Sequence, residues 1–193
     1  MNIEQLLRET GAFLEGHFLL TSGMHSPHYY EKFRLLENPE YNEQVAGAIY
    51  ETFRSEDVNL VAGAAIGGIL LAYEVARRFG VRSVFAERVD GDLAFRRGFR
   101  IDPGENVLVV EDIVTTGGSV LELCDLIRAE DGNISGIGLL VDRSMGSFDP
   151  DIPWHALYTA QVEQYPPDEC PLCRDDIPMT VRGRSGKEKA EGR

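Results

Sequence analysis

The stretch VLVVEDIVTTGGSVLELCDLI, residues 107 to 127, constrains the fold more than any other. Val107 to Val110 read as a buried strand with two acids, Glu111 and Asp112, at its carboxyl end. A Thr-Thr-Gly-Gly-Ser turn follows and leads into an apolar-periodic helix from Ser119 to Ala129. A buried strand feeding a helix through a glycine turn is half of a βαβ unit, and such units repeat to build a parallel sheet.

The rest of the chain repeats the alternation. Val58 to Ala62, Ser83 to Ala86, Ile134 to Val141 and Trp154 to Ala160 are strand-like, while Tyr41 to Phe53 and Gly67 to Phe79 have helical periodicity. Ile3 to Phe13 predicts a short amphipathic helix. GHFLLTSGMHSPHYYEKF, from Gly16 to Phe33, predicts two strand-like pieces around a Ser22-Gly23 turn. The expected fold is therefore α/β, with a mostly parallel sheet covered by helices on both faces. Residues 1–181 are expected to form a single domain. Arg182 to Arg193 lack large apolar side chains and predict a disordered tail.

Charge narrows the partners. The 19 basic and 32 acidic residues leave a formal charge of −13, which repels nucleic acid and anionic lipid. Neither partner is expected. The charged N-terminal segment lacks a signal-peptide core and no run spans a membrane. Three cysteines, an odd number, suit a reducing compartment, so the chain is expected in the cytoplasm.

A phosphorylated small molecule remains compatible with this charge if backbone amides gather at one place. In the turn, Gly117 and Gly118 permit close backbone approach, and Thr115, Thr116 and Ser119 offer hydroxyls. The first amides of the helix point into the same space, so a phosphate dianion fits there. Glu111 and Asp112 lie just upstream, placed to accept from sugar hydroxyls or to help position Mg²⁺. A second loop, Gly63-Ala64-Ala65-Ile66-Gly67-Gly68, is equally a tight turn or a diphosphate cradle. ERVDGDLAFRRG, Glu87 to Gly98, is either an exposed hairpin or a flexible lid whose Arg88, Arg96 and Arg97 clamp an anion. His17, His25 and His28 match no strong metal-ligand spacing and read as hydrogen-bonding loop residues. Cys170-Pro-Leu-Cys173 is half of a zinc ribbon without a second pair, so it reads as a turn.

Glu-Asp, two residues and Thr-Thr-Gly-Gly-Ser after an apolar strand resemble the phosphoribosyl diphosphate signature of the type I phosphoribosyltransferases. EGHFLLTSGMHSPHYYEKF, VEDIVTTGGS, LLVDRS and YPPDECPLC, in this order, resemble more closely the shorter bacterial orotate phosphoribosyltransferases. The resemblance implies the fold of that family, with a small hood drawn largely from residues 11–36 and C-terminal strands. It implies transfer of phosphoribosyl from phosphoribosyl diphosphate to orotate with Mg²⁺, in a homodimer whose lid closes over a neighbouring site.

The resemblance also implies roles for individual residues. The 5-phosphate falls to Thr115, Thr116, Gly117, Gly118 and Ser119, with Ile113 and Val114 leading in, and the ribose hydroxyls to Glu111 and Asp112. Diphosphate falls to Ile66 and Gly67, where relatives often carry a lysine and this chain would offer only backbone amides. Arg88 and Arg96 bind the same anion, and Arg88 and Arg97 join Glu111 and Asp112 as catalytic groups. Orotate falls to Arg143, oriented by Asp142, with Thr115, Thr21, Tyr29 and Tyr30. No protein group ligates the metal directly; Asp112 would reach it through water. Two other readings stay open, a transferase for another base and a non-catalytic regulator that senses phosphoribosyl diphosphate.

Overall fold

The computed structural model describes residues 2–161 and 163–182. The expected disordered tail from residue 183 onward lies outside the described residues. α1 (Ile3–Glu9) starts at Asn2, whose side chain accepts from the Gln5 amide. It ends at Thr10, earlier than the expected Phe13, because the Thr10 hydroxyl folds back onto the Leu6 carbonyl and Phe13 begins β1 (Phe13–Leu19). β1 pairs antiparallel with β2 (His25–Tyr30) across the expected turn, where the Leu20 amide donates to Met24 O at 2.9 Å. α2 (Phe33–Leu36) buries Leu35 and Leu36. α3 (Pro39–Phe53) begins at Asn38, which accepts from the Glu40 amide, with proline in the first turn.

Then follow β3 (Leu60–Ala64), α4 (Gly67–Phe79), β4 (Arg82–Val89), β5 (Asp92–Phe95), β6 (Asn106–Val114), α5 (Gly118–Ala129), β7 (Asn133–Asp142) and β8 (Trp154–Thr159). The chain closes with α6 (Pro171–Arg174) and β9 (Thr180–Val181). α2, β5, α6 and β9 are each four residues or fewer, too short to impose a period on the sequence.

The chain forms two compact units. The first, residues 2–12 and 32–161, holds a six-stranded sheet in the order β5-β4-β3-β6-β7-β8. All neighbours are parallel except the edge pair β4–β5. The central strands are buried on both faces, as β3 illustrates with five buried residues in succession. α5 packs Val120, Leu123, Cys124 and Ile127 into the cluster built on Leu60, Ala62, Val107, Val109 and Ile137. On β7, Ile49 and Phe53 of α3 press against the bare backbone of Gly136 and Gly138. The second unit, residues 13–31 and 163–182, is a three-stranded sheet in the order β2-β1-β9, with an antiparallel bridge between His25 and Tyr165.

Candidate active site

β6 runs four residues beyond the expected Val110, because its ladder with β7 continues from Glu111↔Leu139 to Val114↔Asp142. Glu111 and Asp112 are therefore strand residues, held rigidly, and Ile113 and Val114 belong to the strand as well. At the end of β6, Thr115 and Thr116 are exposed and Gly117 turns the chain with φ +80°. A Cβ on Gly117 would stand 2.2 Å from the Phe148 ring, so both conformation and packing require glycine there. α5 begins immediately afterwards.

The two helices that open beside these strand ends differ from α1 and α3. α1 and α3 start with asparagine caps, whereas α4, starting after Ile66, and α5, starting after Gly117, have no side-chain cap bond. Their first-turn amides keep their donor capacity, and each helix dipole adds positive potential there. Both turns can take a phosphate.

Between them lies the acidic pair. Asp112 is 1% exposed and accepts from its neighbour's amide, Ile113 N, at 2.6 Å. Lys32 Nζ straddles the same carboxylate, 2.8 Å from Oδ1 and 2.6 Å from Oδ2. Lys32 is positioned because α2 follows it directly and anchors Leu35 and Leu36 in the core, while its ammonium stands 5.7 Å from the Phe33 ring centroid. Glu111 accepts from the Asp112 amide at 3.0 Å. Its carboxyl is pushed up to about 8, first by burial and then by the Asp112 carboxylate beside it.

Lys32 corrects the expectation that only backbone amides serve the α4 loop. A Cβ on Gly67 would fall 1.4 Å from Asp112 Oδ2 and 2.8 Å from Lys32 Nζ. With Asp112 and Lys32 placed as they are, a side chain at position 67 would have to displace them, and the cation reaches the place from another element. One signal was legible: Lys32 is the only lysine before residue 187, although the chain has 16 arginines. Ile66 itself is exposed, and the Ala65–Ile66 peptide is cis.

ERVDGDLAFRRG is not an unstructured loop. Val89↔Asp92 through Ala86↔Phe95 pair as a hairpin closed by Asp90-Gly91, a turn suited to the twist of two-stranded ribbons. Arg88 bonds Glu122 of α5 at 2.7 Å, Glu122 also accepts from Leu93 N at 2.7 Å, and Arg97 pairs with Glu87 at 3.0 Å. Arg96 is exposed. Arg143 is half-buried just past β7, and its amide donates to Val114 O at 2.8 Å, next to the threonine turn. Asp142 accepts from the Ser144 amide at 2.8 Å.

Thr21, Tyr29 and Tyr30 belong to the second unit. Thr21 is exposed in the turn, Tyr29 packs on Phe18, and Tyr30 is buried edge-on against Phe13. His28 stacks on Phe13, whereas His17 and His25 overturn the reading of them as simple loop hydrogen-bonding groups. They converge with Cys170 and Cys173, and so supply the second pair the cysteines lack in sequence. The pairing escapes a spacing template because it joins opposite ends of the chain.

Hard oxygen donors at Glu111 and Asp112 suit Mg²⁺ in kind. With Lys32 Nζ hydrogen-bonded to Asp112 Oδ1 and in ion-pair contact with Oδ2, the arrangement fits a metal reached through water. Among the described residues no helix is long and apolar enough to cross a membrane.

The family described as "Phosphoribosyl transferase domain" matches residues 34–168. A protein of Pelotomaculum thermopropionicum named orotate phosphoribosyltransferase is 46% identical over 181 residues, covering 94% of this chain and 95% of its own. One of the same name from Desulforamulus reducens is 45% identical over 186 residues, covering 95% and 97%. The crystal structure of orotate phosphoribosyltransferase from Aeropyrum pernix is similar in fold, with a TM-score of 0.70 at 23% identity over 82% of this chain and 93% of that one.

Proposed function

The chain belongs to the phosphoribosyl transferase domain family, and we infer from that membership and from the site that it is an orotate phosphoribosyltransferase. It transfers phosphoribosyl from phosphoribosyl diphosphate to orotate, yielding orotidine 5'-monophosphate and diphosphate in pyrimidine biosynthesis. The observation that carries the site assignment is the buried Glu111–Asp112–Lys32 cluster at a strand end beside two uncapped helix starts.

The α5 start with Thr115, Thr116 and Ser119 takes the 5-phosphate, and the α4 start at Gly67 takes the diphosphate. Glu111 and Asp112 then face the ribose between the two anions. As the bond from the anomeric carbon to diphosphate breaks and the bond to the orotate nitrogen forms, positive charge grows on the ribose. Asp112, held in place by Lys32, stabilises that charge without forming a covalent bond. Mg²⁺, which Asp112 would reach through water, would neutralise charge on the diphosphate. Arg88, released from Glu122, and Arg96 or Arg97 bind the departing anion. Arg143 pairs with the orotate carboxylate, and Thr115 borders both substrates.

The chain acts as a homodimer. Ile66, which precedes α4, and Leu70 and Tyr73 on it support this, exposed at 73%, 43% and 65% and spaced i, i+4, i+7. Its place is the cytoplasm, a reading supported by three cysteines without a disulfide.

One assay tests the reading. The protein with phosphoribosyl diphosphate and Mg²⁺ should deplete orotate absorbance and form orotidine 5'-monophosphate, while adenine, guanine, hypoxanthine and uracil stay unconsumed. Consumption of one of those bases in place of orotate, or of none, would overturn it. In the same assay Arg143→Ala should raise the orotate KM at least about tenfold and leave that for phosphoribosyl diphosphate within about twofold. Equal weakening of both would remove Arg143 from the base pocket.

A further inference from the structure

The second unit gathers four soft donors whose ligand atoms all lie within 4.8 Å of one another: His17 in β1, His25 at the head of β2, and Cys170 and Cys173 on α6. His17 Nε2 is 3.0 Å from His25 Nδ1. Cys170 Sγ and Cys173 Sγ lie 3.7 and 3.8 Å from His17 Nε2, and Cys173 Sγ lies 3.3 Å from His25 Nδ1. A tetrahedron with Zn–N near 2.0–2.1 Å and Zn–S near 2.3 Å has edges of about 3.3 Å between nitrogens and about 3.6 Å between nitrogen and sulfur. The observed separations fall around those edges.

The backbone prepares the histidines for ligation. His17 and Phe18 are consecutive in β1 yet both buried, which a regular strand cannot achieve. The register of β1 against β2 shifts between Glu15 and Phe18, and this bulge turns His17 inward. His17 Nδ1 lies 2.8 Å from the Ile177 carbonyl, so that nitrogen carries the proton and Nε2 presents its lone pair to the cluster. His17 and His25 sit 148 to 156 residues from Cys173 in sequence.

We propose that His17, His25, Cys170 and Cys173 form a closed, structural Zn²⁺ site. Two thiolates and two imidazoles are a zinc donor set, unsuited to Mg²⁺ or Ca²⁺, and four protein ligands leave no open position for substrate. The thiolate charges balance the dication. The need for such a tie is visible in the unit itself. Its described buried apolar side chains are Phe18, Tyr30 and Cys170, and its third strand, β9, has two residues. A unit with so small a core gains folding free energy from chelation, here by fastening the β1–β2 hairpin to the C-terminal segment.

The test is metal analysis of the protein expressed without a histidine tag and passed through gel filtration in reducing buffer. The expected result is about one zinc per chain, released by a mercurial that caps the thiols. Cells grown on cobalt should yield protein with thiolate-to-cobalt charge transfer and intense d–d bands of a tetrahedral ion. Cys173→Ser and His25→Gln should each lower bound zinc at least about tenfold and lower the melting temperature. The cobalt spectrum of the unaltered chain answers the question even if both variants fail to fold. Zinc-free protein that takes up no added Zn²⁺, a Cys170–Cys173 disulfide under reducing conditions, or zinc retained by the Cys170→Ser/Cys173→Ser double variant would each overturn the site.

Discussion

Asp112 is buried in the strand with its charge answered by one ammonium. Asp112→Asn preserves volume but removes the negative potential below the developing cation, so kcat should fall about a hundredfold or more with the circular dichroism spectrum unchanged. Turnover within a few-fold of the parent would exclude Asp112 from that role. Glu111 makes a different demand, since its carboxyl is raised from an ordinary 4.5 to about 8, chiefly by burial. Between those values the native chain holds a proton that the unfolded chain releases. Stability therefore falls as pH rises from about 4.5 to about 8 and levels off above. Glu111→Gln, neutral in both states, should show a shallower decline across this window in urea midpoints; identical pH profiles for parent and variant would contradict the shift.

At the scale of elements, the β4–β5 hairpin is tied to α5 through one carboxylate, Glu122, which takes both Arg88 and the Leu93 amide. The arginine pair is largely exposed and contributes under about 1 kcal/mol. A tie of that size can be exchanged for phosphate oxygens. Glu122→Gln should therefore leave the melting temperature nearly unchanged while amide exchange in Asp92–Phe95 speeds up. Adding diphosphate with Mg²⁺ should slow exchange in that hairpin for parent and variant alike. Exchange indifferent to diphosphate in both proteins would mean that Arg88 does not leave Glu122 for the anion.

For the whole molecule, the decisive quantity is how the exposed apolar row Ile66, Leu70 and Tyr73 is covered. Tyr73→Glu places a charge in that row, so sedimentation should move from twice 21.5 kDa toward the single-chain mass. A parent that sediments as a monomer would refute the dimer. The parallel sheet, the glycine turn into α5 and the acidic pair were all legible along the chain, because strand, turn and helix signals there come from residues within a few positions of one another. Lys32 beside Asp112, Glu122 holding the hairpin, and His17 and His25 meeting Cys170 and Cys173 were not. Those pairs lie 80, 34 and about 150 residues apart. Period and spacing describe neighbours in sequence, whereas a salt bridge or a ligand set depends on which elements packing brings together. Only the folded backbone, with its bulge at His17 and its bare glycine at position 67, decides that.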